Sequence, residues 1–102
     1  MNAKHFVART GDISPGKGVK IKIGKKTIAL FNNRGQYFAI QNFCPHQNAD
    51  LADGYLREGQ VFCPLHNWSF DLNSGAYGFN PKLKLKTYPV LIEQDSIYIL
   101  IE

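Results

Sequence analysis

"CPHQNADLADGYLREGQVFCPLH", residues 44–66, holds both cysteines of the chain and two of its three histidines. They fall into two short boxes, Cys44-x-His46 and Cys63-x-x-His66, and each cysteine is followed directly by a proline, Pro45 or Pro64. Proline has no backbone N–H and holds φ near −65°, which suits a rigid turn and not a ladder position in a sheet. The stretch therefore reads as two loops. "FCPHQ" leaves the apolar "YFAIQN", and "CPLHNW" interrupts the passage from "QVF" to "WSFDL". Two loops of this kind can each present two side chains to one common point.

Outward from the boxes, hydrophobic residues recur at every second position between turn signals, and no segment has the period of a long amphipathic helix. This predicts an all-β protein. The expected strands are "KHFVA", "GVKIKIG", "KTIALFN", "QYFAIQ", "QVFCP", "NWSFDL", "KLKTYPV" and "SIYILI", with turns at "GK", "NNRG", "LNSG" and "EQDS". Short strands at this spacing make a sandwich or a small barrel. At 102 residues and 44% hydrophobic content the chain suits one domain, residues 1–102, whose small core would gain from a bound metal group as a staple.

The amino-terminal "MNAKHFVART" lacks the apolar core of a secretory signal, and nothing approaches the roughly 20 apolar residues of a membrane span. The expectation is a cytoplasmic protein with no membrane partner. Thiols stay reduced in that compartment, so Cys44 and Cys63 are available as ligands. Twelve Lys+Arg against eight Asp+Glu give a net charge of +4, part of it in "PKLKLKTYP". There Lys82, Lys84 and Lys86 alternate with Leu83 and Leu85, the pattern of a strand with one wet face. Its lysines serve either to guard an exposed edge or to dock an acidic partner. Nucleic acid is not expected, because no motif of stacking aromatics accompanies the charge.

Four soft or borderline ligands in two short pairs signal a metal site. A tetrahedral zinc site has the right ligand set but usually spaces paired ligands by two to four residues, and the first box has only one between. A nucleophilic Cys–His pair would leave the second box unexplained. Ordinary buried cysteines with incidental histidines would leave the parallel between the boxes a coincidence. A third reading, beside the zinc-binding structural module, is a 2Fe-2S centre in which two histidines replace two cysteines on one iron.

"CPHQ" followed by "CPLHNWSFDLNSG" resembles the two-box motif of Rieske proteins, and the similarity runs through the short strands on both sides to cover nearly the whole chain. The resemblance implies a Rieske-like sandwich of antiparallel sheets with a small cluster-binding subdomain of two loops, spanning about residues 43–81. It implies that Cys44 and Cys63 hold the inner iron of one 2Fe-2S cluster and that His46 and His66 hold the outer one near the surface. Exchanging two thiolates for neutral imidazoles removes negative charge and makes an added electron easier to accept. Rieske centres accordingly lie at roughly −150 to +300 mV against roughly −400 mV for all-cysteine plant-type clusters. Such a site has no place for a substrate, so a one-electron carrier is expected, not a catalyst in its own right.

High-potential Rieske proteins carry an extra cysteine in each box. Here ordinary residues such as Leu65 stand in those places. Trp68 and Phe70 flank Ser69 where those proteins place a hydroxyl donor to cluster sulfur, so a potential at the low end of the range is expected. "GAYGFNP", residues 75–81, is either a lid over the cluster or an ordinary hairpin. Trp68 and Tyr77 are expected to pack under the cluster, and His5 to be an exposed side chain without a role. "CPLHNW", "LKTYPV" and the basic charge resemble the small subunit of NAD(P)H-dependent nitrite reductase. "WSFDLNSG" is shared with the Rieske ferredoxins that carry electrons from a reductase to an aromatic-ring dioxygenase. The resemblance therefore implies partners of two kinds, a nitrite reductase large subunit or a reductase and dioxygenase, with the nitrite reductase subunit favoured.

Overall fold

The computed structural model describes residues 3–44, 49–64 and 68–101. Its strands are β1 (Ala3–Arg9), β2 (Gly18–Ile23), β3 (Lys26–Asn33), β4 (Gln36–Gln41), β5 (Tyr55–Arg57), β6 (Gln60–Phe62), β7 (Ser69–Asp71), β8 (Ala76–Tyr77), β9 (Asn80–Lys84), β10 (Thr87–Tyr88), β11 (Val90–Glu93) and β12 (Ser96–Ile101). Two single turns of 3-10 helix, Thr10–Asp12 and Leu51–Asp53, are the only helical pieces among the described residues. All the strand pairs are antiparallel, as the sequence predicts. They form three sheets, in the orders β1-β12-β11, β10-β4-β3-β2 and β5-β6-β7-β8-β9.

Strand β3 explains how these sheets stack. Its run Ile28-Ala29-Leu30-Phe31 is wholly buried, although alternate side chains of a strand point to opposite faces. Ile28 and Leu30 pack with Ala8, Ala39, Ile97 and Ile99, a core shared with the three-stranded sheet. Ala29 and Phe31 pack with Ile40, Leu51, Val61, Phe70 and Leu72, a second core shared with the five-stranded sheet. The middle sheet is covered on both faces, which is why β3 reads as a continuous apolar run and not an alternating one. Sheet β1-β12-β11 closes the far side, with Ala3 opposite Ile101 and Arg9 opposite Ser96.

The expected strand "KLKTYPV" is in fact three short strands in three different sheets. Strand β9 ends at Lys84, and Leu85 turns inward, its N–H donating to the Gly75 carbonyl at 2.9 Å. Lys86 then exchanges hydrogen bonds with Gln41, its N–H donating to Gln41 Oε1 at 2.8 Å and its carbonyl accepting from the Gln41 N–H at 2.9 Å. That hands the chain to β10 on the edge of β4. Pro89 has no N–H to continue the ladder, and its carbonyl accepts from Leu100 at 3.0 Å as the chain passes to β11. The alternation of Lys82 to Lys86 therefore does not describe one wet face. Leu85 is buried, but Leu83 is 38% exposed and every residue of β9 faces solvent.

Strand β6 falls within the expected "QVFCP", but its hairpin partner β5 escaped the strand pattern. The two-residue turn between them is Glu58-Gly59, with φ of 53° and 77°, the left-handed pair that closes a tight hairpin between Arg57 and Gln60. The Leu30→Ala variant should lose about 2–5 kcal/mol of unfolding free energy, the usual range for truncating a fully buried leucine. Leu91→Ala, on the exposed strand β11, should lose no more than about 0.5 kcal/mol. Denaturant midpoints of the two variants check this.

Candidate metal centre

Both cysteines stand at the first position of a six-residue loop, and both loops are closed by the same backbone bond. The Cys44 N–H donates to the Ala49 carbonyl at 3.0 Å, and the Cys63 N–H donates to the Trp68 carbonyl at 2.7 Å. Each cysteine is thus tied to the residue five further along. The first loop is also pinned by a β-bridge between Phe43 and Asp50. Cys44 and Cys63 are 0% and 1% exposed and belong to the same core, among Phe31, Ile40, Leu51, Val61 and Phe70. No disulfide is formed by either. His46 and His66 lie outside the described residues, as do Pro45 and Leu65. Among the described residues no three His, Cys, Asp or Glu side chains converge.

Asn42, two residues before Cys44, anchors the first loop, and the sequence reading passed over it. Its side chain is fully buried, with Nδ2 donating to Asp50 Oδ1 at 2.6 Å and Oδ1 accepting from the Ala52 N–H at 3.1 Å. Its backbone joins in: the N–H donates to the Thr27 carbonyl at 3.0 Å, and the carbonyl accepts from Leu51 at 2.7 Å. A single residue thereby fixes the end of β4, the return of the loop and the turn Leu51–Asp53. The turn is followed by Gly54, where a Cβ would run into the Phe62 carbonyl. Only glycine lets the turn lie this close to β6, whose next residue is Cys63. The available signal was a polar residue at the end of the apolar "YFAIQN", where an unpartnered amide would be costly.

Trp68, the last residue of the second loop, packs in a group of aromatic rings with Tyr77 and Phe70. Trp68 stacks on Tyr77 with centroids 4.3 Å apart, and Phe70 lies 5.6 Å from Tyr77. Within "GAYGFNP" the structure forms a hairpin, with β8 and β9 paired at Tyr77 and Asn80 and the Gly78 N–H donating to the Ser69 carbonyl at 2.9 Å. His5 is half-buried, not exposed as expected, because β1 lies against β12, with His5 opposite Ile99. It belongs to the far sheet.

Two buried thiols, held at the mouths of two matched loops in one apolar core, suit a soft, thiolate-bound metal group. A Rieske [2Fe-2S] domain model matches residues 3–89. The chain belongs to the Rieske [2Fe-2S] domain family: it is an electron carrier whose cofactor is a Rieske 2Fe-2S cluster. It is 38% identical over 92 residues, 89% of this chain and 88% of the relative, to the ferredoxin component of the naphthalene 1,2-dioxygenase/salicylate 5-hydroxylase systems of Ralstonia sp. Its fold matches the ferredoxin of Sphingomonas yanoikuyae B1 with a TM-score of 0.87 at 33% identity, covering 98% of this chain and 100% of that one. It also matches an NADH-dependent nitrite reductase small subunit from Mycobacterium tuberculosis with a TM-score of 0.91 at 22% identity, covering 100% and 97%. Among the described residues no helix is long and apolar enough to cross a membrane.

Asn42→Ala would strip the Ala52 N–H of its acceptor and Asp50 of its buried donor, at a cost of about 1–3 kcal/mol. The variant should bleach its visible absorption at a lower temperature than the parent protein. Gly54→Ala should do the same, since the opposing Phe62 oxygen is backbone and has little freedom to move.

Proposed function

We propose that the chain is a Rieske ferredoxin, which takes single electrons from an NAD(P)H-dependent reductase and delivers them to an aromatic-ring dioxygenase. Cys44 and Cys63 are assigned to the inner iron, and His46 and His66 to the outer one. The observation that carries the assignment is the matched closure of the two loops, Cys44 on Ala49 and Cys63 on Trp68, with both thiols in one core. The bound cluster supplies one-electron redox chemistry. The chain's own part is to keep the cysteines away from water, in the core on the side of the middle sheet opposite to sheet β1-β12-β11. The whole of residues 1–102 acts as one domain, with the cluster-binding part at about 43–81, and works in the cytoplasm.

The relative from Ralstonia sp supports the ferredoxin assignment, since its name is that of a dioxygenase-system ferredoxin. The reading as a nitrite reductase small subunit, paired with a large subunit, draws on "CPLHNW", "LKTYPV" and the net charge of +4.

The purified protein should contain about two iron and two acid-labile sulfide per chain and give a rhombic electron-spin signal on reduction. His66→Cys should lose the cluster or lower its potential, because a thiolate adds negative charge, whereas His5→Ala should leave the spectrum as it is. An unchanged potential in His66→Cys would remove His66 from the ligand set. The physiological role is tested by supplying the chain, in place of the native ferredoxin, to the reductase and oxygenase of the naphthalene system. Naphthalene-dependent NADH oxidation is the expected result. Selective capture of a nitrite reductase large subunit from the source extract, with no turnover in the oxygenase assay, would favour the other partner.

A further inference from the structure

Phe79 is 80% exposed, the most exposed large apolar side chain among the described residues. It sits in the two-residue turn, Gly78-Phe79, that joins β8 to β9. It is also connected to the metal loop. Its ring meets Tyr77 edge-on at 5.6 Å, Tyr77 stacks on Trp68 at 4.3 Å, and the Trp68 carbonyl accepts the Cys63 N–H. A solvated phenylalanine is unfavourable by itself, and this one is displayed at the tip of a hairpin braced against a cysteine loop.

The strand that leaves this tip is the outer edge of its sheet. All five residues of β9 are exposed, and Lys82 and Lys84 make no ion pair among the described residues, where the two ion pairs are Lys4–Glu93 and Lys20–Asp50. No Asp or Glu occurs between Asp71 and Glu93, a segment that carries three lysines. Asp71 itself is occupied by its own turn, where Oδ2 accepts from the Asn73 and Ser74 N–H groups at 3.1 and 2.7 Å. The patch is therefore an apolar tip with an uncompensated positive flank.

We infer that the β8–β9 hairpin is the docking face for an acidic redox protein, with Phe79 entering an apolar recess and Lys82 and Lys84 facing carboxylates around it. The inference rests on the electron-carrier reading. Charge disfavours a symmetric contact with a second copy of this chain, since the same lysines would meet across it. Docking by this face brings the partner against the loop that follows Cys63. Lysines on an edge strand also discourage strand pairing, but that role does not account for the solvated Phe79 beside them. Attraction to carboxylates needs the positive sign.

The test is stopped-flow oxidation of the reduced, cluster-loaded protein by two high-potential probes, an acidic plastocyanin and a basic cytochrome c. In the double variant Lys82→Glu/Lys84→Glu the rate constant with plastocyanin at low salt should fall by about tenfold or more, since steering by local charge dominates association there. The control pair Lys22→Glu/Lys25→Glu changes net charge equally on exposed positions of β2 and of the turn from β2 to β3, and should cost less than about threefold. With cytochrome c the hairpin variant should react faster than the control. Phe79→Ser should slow plastocyanin at every salt concentration while leaving the salt dependence unchanged. Equal losses in the two lysine pairs would show that only net charge matters and would overturn the inference, as would a dimer in gel filtration that Phe79→Ser dissolves. A preparation without the cluster signal fails the carrier reading before any rate is read, so the two failures are distinguishable.

Discussion

The buried amide of Asn42 joins the sandwich to the metal loops, and much of the site depends on it. Asn42 makes four hydrogen bonds in all, two from its side chain to Asp50 and Ala52 and two from its backbone to Thr27 of β3 and Leu51 of the helical turn. Each of these groups would cost free energy if buried without a partner, and one residue satisfies all of them. The same arrangement sets where Cys44 stands relative to β6. Asp50 is held in turn by Lys20 of β2 at 3.4 Å, a half-exposed pair that adds little stability but continues the linkage toward the sheet edge.

A cofactor that must be kept from water at one side and reached by another protein at the other constrains the rest of the loop region. The cysteines answer the first need, packed among Phe31, Ile40, Val61 and Phe70. The aromatic stack of Trp68, Tyr77 and Phe70 supports the second loop with rigid area at low entropic cost, because these side chains have few rotatable bonds. Directional hydrogen bonds fix the first loop and ring packing supports the second, so the two loops resemble each other in their closure but not in their support.

The all-β class and most long strands were legible in the sequence, because β2 and β12 alternate and β3 is continuously apolar. The two-box motif was legible because its residue types are rare in the chain and each box sets a cysteine, a proline and a histidine within four residues. What escaped detection depended on tertiary contacts. The run from Lys82 to Val90 alternates like one strand, but Gln41 and Leu100 draw successive pieces of it onto different sheets. Strand β5, which pairs with the expected β6, was hidden because Glu58-Gly59 is not among the turn pairs most often found in hairpins, although its backbone angles are the same. Asn42 was missed because its place at the end of the apolar "YFAIQN" was the one local signal, and the side-chain partners that give it meaning are eight and ten residues away. His46 and His66 rest on the motif, since they lie outside the described residues.

Strands β1 and β12 are hydrogen-bonded neighbours along nearly their whole length, with Ala3 opposite Ile101, so the two ends of the described chain lie side by side on the sheet that faces away from the cysteines. A fold with adjoining ends can be spliced into a surface loop of a larger protein at small loop-closure cost, because the host chain leaves and re-enters at almost the same place. The architecture is therefore portable: an electron-transfer unit of this shape could be carried within another polypeptide without disturbing the end of the molecule that holds the metal loops.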